Sequence, residues 1–325
     1  MSQTPGGKFP QLLDTLQRMK AAECEGIPGV MCFHSTMPGP VLGITACTHG
    51  NEPSGLAAIR HILERFECRE NLLRGTVYLA VNNLEAASNY FAGTDGKKWR
   101  FIDRNMNRLP DNISQLSGDG RSEIRRVREL LPIWRRFDVA LDIHSTSQSS
   151  APMIVSGGGT FHSALAQGFP IDVVISNIDA VQIGLPAFGY YGGGTGSSTP
   201  AFEIECGSHE DAASFESAIT CVDSLLRNLN MIAGEARRTV ATYSEYLIED
   251  SIVFPNDTYR FARFIAGFEH LSAGEIIARG DGPPLEIPLE CDAIFGPGKD
   301  EWQTWCDTSE EALFLSRPKR LLAAH

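Results

Sequence analysis

The chain is poor in what membranes, nucleic acids and disulfide scaffolds require. No stretch reaches the ~18 consecutive apolar residues of a membrane span, and Met1–Pro10 is polar, so neither a span nor a secretory signal is expected. Positive charge is scarce: 28 Lys and Arg against 40 Asp and Glu leave a formal net charge of -12. A general affinity for nucleic acid or anionic membrane is therefore not expected. The eight cysteines (24, 32, 47, 68, 206, 221, 291 and 306) include no CxxC pair. They read as reduced, mostly buried thiols in a cytoplasmic protein, not as a disulfide framework or a thiolate zinc site. Internal repeats and low-complexity tracts are also missing.

What remains is an ordinary globular composition, with 42% hydrophobic and 21% charged residues, in a 325-residue chain long enough for a large domain plus a smaller one. The spacing of apolar residues predicts helices over Gln11–Glu23, Pro53–Phe66, Ser122–Arg136 and Asp211–Ala233. Strands are predicted at Gly29–Phe33, Val41–Cys47, Thr76–Val81, Asp138–Ile143, Met153–Val155, Asp172–Ile175 and Pro200–Cys206. This alternation implies an α/β fold with a mixed, mostly parallel sheet covered by helices on both faces. After about Val240 short apolar runs are broken by Pro and Gly, so residues 240–325 read as a small β-rich domain behind an α/β domain of residues 1–239.

Four constellations can carry chemistry. His49-x-x-Glu52 follows an apolar strand, with Gly50 allowing a tight turn. It supplies two of the three ligands that a zinc hydrolase needs; otherwise His49 is a loop histidine bonded to backbone. His144 ends the strand Leu-Asp-Ile-His, either as a third ligand or as a structural cap, and Asp142 shares its face as an orienting carboxylate or a buried structural one. Glu203 and Glu205 share one face of Pro-Ala-Phe-Glu-Ile-Glu-Cys-Gly. Either is a general base in a buried strand, unless the strand is an edge with one wet face. Lys97–Arg108 is the most basic stretch, suited to carboxylates and oxyanions, or else plain solvated charge. The basic run Arg121–Arg136 reads as an exposed helix face, His209 as a surface histidine, and Gly192–Gly194 as a loop without a phosphate-binding lysine.

Taken in order, these segments resemble the succinylglutamate desuccinylase and aspartoacylase family of the carboxypeptidase A-like zinc hydrolases. Thr48-His-Gly-Asn-Glu52 matches its first zinc motif, and Arg100-Phe-Ile-Asp-Arg-Asn-Met-Asn107-Arg108 resembles its Arg-x-x-Asp-x-Asp-x-Asn-Arg segment. Asp142-Ile-His144 resembles its Asp-Leu-His, and Ile204-Glu205-Cys-Gly207 its apolar-Glu-apolar-Gly. The resemblance implies one Zn2+ per chain held by His49, Glu52 and His144. It implies Arg100 as the group that polarises the scissile carbonyl, and Asn107 and Arg108 as binders of a substrate carboxylate. Glu205 would be the base that takes a proton from the attacking water and passes it to the leaving amine. Departures are also plain. Thr195 stands where aspartoacylases carry a second substrate arginine, Ser-His-Glu-Asp follows Gly207, Asn105 replaces an Asp, and no tyrosine lies near Glu311–Phe314. The resemblance thus implies the chemistry without implying N-acetylaspartate or succinylglutamate as the particular substrate.

The expected activity is a zinc-dependent amidohydrolase that deacylates an N-acyl amino acid. Its alternatives are a zinc carboxypeptidase acting on short peptides and a non-catalytic binding protein on the same scaffold. The expected partner is a small carboxylate-bearing acyl-amino acid or short peptide. Oligomeric state, a homo-oligomer included, is left open.

Overall fold

A computed structural model describes residues 4–67, 72–96, 98–110, 112, 119–147, 150–156, 161–192, 199–209, 211–235, 242–317 and 319–323. Helices α1 (Pro5–Lys8) and α2 (Pro10–Ala21) lead into a ribbon of β1 (Glu23–Cys24) and β2 (Ile27–Pro28), then β3 (Val30–His34). Strands and helices follow as β4 (Val41–Ala46), α3 (Ser54–Glu67), β5 (Thr76–Val81), α4 (Leu84–Ala92) and α5 (Ser122–Trp134). Next come β6 (Val139–Thr146), β7 (Met153–Ser156), β8 (Val173–Ser176), β9 (Ala201–Ser208) and α6 (Ala212–Asn228). The C-terminal part contributes β10 (Thr242–Ile252), β11 (Arg260–Phe261), β12 (His270–Leu271), β13 (Ile276–Arg279), β14 (Leu285–Glu286), β15 (Cys291–Ile294), β16 (Leu313–Ser316) and β17 (Arg320–Ala323).

The main sheet runs β3-β5-β4-β6-β9-β7-β8-β10-β16-β15-β12, with β17 also along β10. From β5 to β10 every pairing is parallel except β9 with β7; β3 and the C-terminal strands join antiparallel. The fold is therefore the mixed α/β sheet expected. Side-chain alternation explains why both faces are covered. Leu42, Ile44, Leu141 and Ile143 pack on one face with Leu16 of α2, Ile59 of α3 and Leu225 of α6. Ala140 and Met153 on the other face meet Ile124, Val127 and Trp134 of α5. Among the described residues no helix is long and apolar enough to cross a membrane.

Helix α4 is absent from the sequence reading, although its ends carry ordinary stop signals. The Asn83 side chain accepts from Ala86 N at 3.2 Å, and Gly93 closes the helix in the left-handed region at φ 67. Its buried residues are the short Ala86 and Ala87 and a single large one, Phe91, which leaves little periodic signal. The boundary between 239 and 240 falls outside the described residues.

Candidate active site

Strand alternation and register build the site before any loop is considered. In β9, Phe202 and Ile204 enter the core, which turns Glu203 and Glu205 to the opposite face. Parallel pairing with β6 sets Asp142 beside Glu203 and His144 beside Glu205, and β4 sets Thr45 beside Asp142. The edge-strand alternative for β9 is thereby corrected: β9 lies between β6 and β7, and both glutamates are buried. The loop after β4 delivers His49 and Glu52 to the same place. Sites gather at the carboxyl ends of parallel strands because side chains of adjacent strands converge there with the loops that leave them.

The His49 imidazole is held from behind, whereas that of His144 is not. His49 Nε2 lies 2.8 Å from Asn105 Oδ1, which also accepts from Asn107 N, so the proton sits on Nε2 and Nδ1 is free to face Glu52 Oε1 at 2.7 Å. His144 Nδ1 lies 2.8 Å from the other Glu52 oxygen, Oε2. Its Nε2 lies 3.3 Å from Asp142 Oδ2, yet neither ring nitrogen has a hydrogen-bond partner of good geometry. Asp142 in turn accepts from Thr45 (2.7 Å), Thr48 (3.0 Å) and Tyr191 (3.2 Å).

His49, Glu52 and His144 present ligand atoms within 4.8 Å of one another, a set able to hold a metal ion. Asp142, His144 and Glu203 form a second such set, but the Asp142 oxygens are taken by hydroxyls and Glu203 Oε2 accepts from Asn107 at 2.9 Å. The first set, with His49 and Glu52 on the wall of a cavity of about 270 Å³, is the better candidate for a metal site.

The electrostatics call for positive charge at this point. Burial opposes ionisation of Glu52, but His49 and His144 outweigh it and hold the carboxyl well below its usual range. Burial likewise disfavours a charged His144, and Glu203, Glu52 and Asp142 more than reverse that. His49 is pushed down, by burial and then by Arg100. Glu205 is raised well above an ordinary carboxyl, chiefly by burial and next by Glu52. Its Oε2 is buried without a partner on the cavity wall, which costs free energy unless the group has work to do there.

Segment 98–108 lines the cavity with Lys98, Arg100, Phe101, Asn107 and Arg108. Arg100, 40% exposed, brings Nη1 to 3.2 Å from Glu52 Oε1, and its carbonyl accepts from Gly50 N at 2.9 Å. What holds this segment is Glu123 of α5. Its carboxylate accepts from the backbone N–H groups of Ile102 (2.6 Å), Asp103 and Arg104 (3.0 Å each), and from Asn83 (3.0 Å). Arg126 on the same helix is also buried, donating to the carbonyls of Asn82, Val81 and Pro28. The reading of 121–136 as a solvated face is corrected accordingly: two of its charges face inward, where backbone groups satisfy them.

Asn107 is oriented by Glu203 and by Ala187 N, which donates to its Oδ1 at 3.0 Å. Arg108 is bound to Glu311. His209, expected on the surface, lines the cavity with its Nδ1 2.9 Å from Ser145 Oγ, and burial lowers its pKa to about 4. The strand irregularity after His144 brings it there, and no periodicity announces that. Lys97, Thr195, Gly193 and Gly194 lie outside the described residues.

Gly50 lies in the turn that Glu52 N closes on His49 O at 3.2 Å, and it serves close approach as well. Its φ is not positive, and a Cβ there would lie 2.4 Å from the backbone carbon of Ala86. Gly50→Ala is expected to push the His49 loop off α4, destabilising the fold by ~1–3 kcal/mol as overpacking does and weakening metal retention. Denaturant unfolding with metal analysis checks this, and unchanged stability would show that the loop has room.

Residues 38–227, more than half the chain, match the family model of the succinylglutamate desuccinylase/aspartoacylase catalytic domain. Comparison with curated proteins finds no match. Among solved structures, succinylglutamate desuccinylase from Vibrio parahaemolyticus is similar at TM-score 0.69 and 16% identity, over 94% of each chain. The enzyme of that name from Vibrio cholerae gives 0.68 and 14%, over 96% of this chain and 94% of that one. Murine aminoacylase 3 gives 0.59 and 18%, over 89% and 98%. At such identities the structures speak to the fold, and the sequence match over the segment that carries the buried His–Glu–His cluster speaks to descent: the chain belongs to the succinylglutamate desuccinylase/aspartoacylase family.

Proposed function

We propose that the protein is a zinc-dependent amidohydrolase that removes the acyl group from an N-acyl amino acid. Family membership supports the reaction class. The observation that carries the metal is the convergence of two imidazoles on the two oxygens of Glu52, with His144 buried and its nitrogens unbonded. Two neutral nitrogens and a carboxylate are a donor set that suits zinc and leaves one position open. Zinc held there by His49, Glu52 and His144 would polarise a carbonyl and make water a better nucleophile at neutral pH.

The chain's own groups do the rest. Asn105 fixes the His49 imidazole, and Asp142 stands 3.3 Å behind that of His144. Glu205 accepts a proton from the attacking water and delivers it to the leaving nitrogen, a role its unpartnered oxygen and raised pKa suit. Arg100 donates to the carbonyl oxygen as negative charge develops there. Asn107 and Arg108 are the substrate-binding residues of the wall, Arg108 in company with Glu311. In this organisation residues 1–239 form the hydrolase domain. Residues 240–325 form a β-rich domain that adds Phe268, Phe295, Glu310, Glu311 and Phe314 to the cavity.

Protein purified without added metal is expected to carry about one zinc per chain, and the His49→Ala/His144→Ala double variant almost none. A double variant as rich in zinc as wild type removes the ligand assignment. In parallel assays N-acyl amino acids should turn over and dipeptides should not. Hydrolysis of dipeptides alone would mark a carboxypeptidase, and binding of acyl-amino acids without turnover would mark a binding protein.

A further inference from the structure

His144 belongs to both donor sets of this site, and its two ring nitrogens divide between them. Nδ1 lies 2.8 Å from Glu52 Oε2, whereas Nε2 lies 3.3 Å from Asp142 Oδ2 and 3.7 Å from Glu203 Oε2. A neutral imidazole gives one nitrogen to a metal and carries its proton on the other, and the hydrogen bond made by one nitrogen settles the role of its twin. Neither nitrogen of His144 is bonded in the protein itself, so the choice falls to whatever waits beside Nε2. A carboxylate with free lone pairs could itself serve as a ligand there. One already occupied by donors is left to accept the imidazole N–H.

Asp142 is of the second kind. Thr45 Oγ1 donates to its Oδ1 at 2.7 Å, and Thr48 Oγ1 reaches both oxygens at 3.0 Å. The Tyr191 hydroxyl donates at 3.2 Å to Oδ2, the oxygen that stands behind His144. Asn82 settles where the hydrogens lie. Its Nδ2 donates to Thr48 Oγ1 at 2.8 Å and to the Tyr191 hydroxyl oxygen at 3.3 Å, which leaves both hydroxyls to send their own hydrogens to the carboxylate. Burial, and after it the charge of Asp142, raises the phenol well above its ordinary pKa, so that hydrogen stays in place.

Thr45 and Thr48 belong to the same stretch of chain as His49, but Tyr191 arrives from a distant segment and is clamped there. It is 1% exposed, and its ring meets those of Trp134 and Phe137 edge-on, with centroids 5.0 and 5.6 Å away. The next residue, Gly192, donates its N–H to Trp134 O at 2.8 Å. We infer that Tyr191 is a positioning residue of the metal site: its hydroxyl commits Asp142 to receiving the Nε2–H of His144, so that Nδ1 joins His49 and Glu52 as a ligand. This rests on the zinc reading above and adds to it a residue from outside the donor set.

The test is zinc affinity, read by competition with a chromophoric chelator, in wild type, Tyr191→Phe and Thr45→Val. Phenylalanine keeps the ring packing and removes only the donor to Oδ2. Valine removes a donor of the same network from the other oxygen. Tyr191→Phe is expected to hold zinc at least about tenfold more weakly, the scale for a partner behind a ligand, and Thr45→Val to lose less. A purely structural role would lower the melting temperature of the metal-free protein and leave zinc affinity alone. Unchanged affinity in Tyr191→Phe, or a loss no larger than in Thr45→Val, overturns the proposal. If circular dichroism finds Tyr191→Phe unfolded, nitrogen NMR of cadmium-loaded wild type decides. Metal coupling at His144 Nδ1 with a proton on Nε2 is then expected, and coupling at Nε2 overturns the proposal. Wild type that takes up no zinc would sink the metal reading and this inference with it, whereas an unchanged variant sinks this inference alone.

Discussion

Replacing Glu205 by glutamine is expected to lower kcat by ~10²–10⁴, the usual contribution of a positioned general base, with zinc content and thermal melting unchanged. Glutamine keeps the shape of the side chain but can neither accept nor return a proton. Glu203→Gln is the matched control and should keep substantial activity. By strand period the two carboxylates are equivalent, both on the face opposite Phe202 and Ile204. Their surroundings are not. Glu203 Oε2 accepts from Asn107 Nδ2 at 2.9 Å and stands 3.7 Å from His144 Nε2, behind the imidazole. Glu205 Oε2 is buried with no partner. A group that must take a proton from one ligand and give it to another is better left uncommitted in the resting protein. The measurement is kcat of both variants on one substrate, with metal content and melting as controls. A dead Glu203→Gln beside a live Glu205→Gln would reverse the assignment.

Arg100→Ala should cost ~10²–10³ in kcat, the scale of losing one oxyanion donor, with a smaller change in KM. The guanidinium lies 3.2 Å from a Glu52 oxygen while remaining 40% exposed, so it reaches the ligand cluster and is also open to substrate. Binding that strengthens only as the carbonyl oxygen gains charge shows in kcat, whereas uniform binding shows in KM. Arg100→Lys should recover part of the loss, since it restores charge without the planar fork. Loss confined to KM would move Arg100 from transition-state stabilisation to substrate capture. Segment 98–108 keeps its place in both variants, because Glu123 grips its backbone at residues 102–104 and leaves the Arg100 side chain to itself.

Much of this architecture is legible in the residue pattern. Val41–Cys47, Thr76–Val81 and Met153–Val155 are short apolar runs, and the structure begins β4, β5 and β7 at the residues expected. His49, Glu52, His144 and Glu205 come together because strand ends and the loops that follow them converge, which an ordered string of motifs can signal. The illegible parts depend on contacts between distant segments. Glu123 looks like one more charge on a basic helix until four donors close on it. Glu311 stands 203 positions from Arg108 in sequence, and nothing local marks either as the other's partner. Asn105 reads as a lost carboxylate, yet its amide supports His49 on one side and donates to Glu310 at 2.8 Å on the other. Helix α4 escapes notice because Ala86 and Ala87 leave Phe91 as the one large side chain of its buried face.

Strand β10 has two allegiances. Ser244–Leu247 run parallel to β8, and Ile248–Ile252 run antiparallel to β16. The ladder of the hydrolase sheet thus continues through one unbroken backbone into the segment that carries Glu310 and Glu311. For an evolving lineage, or for an engineer recombining relatives, this limits modularity. A crossover between residues 239 and 240 would import a new β10 along with the new wall, and that strand must match the resident β8 residue by residue before any foreign side chain reaches the cavity. Point changes on the wall, at positions such as Glu311, leave that match untouched. They offer the easier route by which a scaffold of this kind acquires a new substrate.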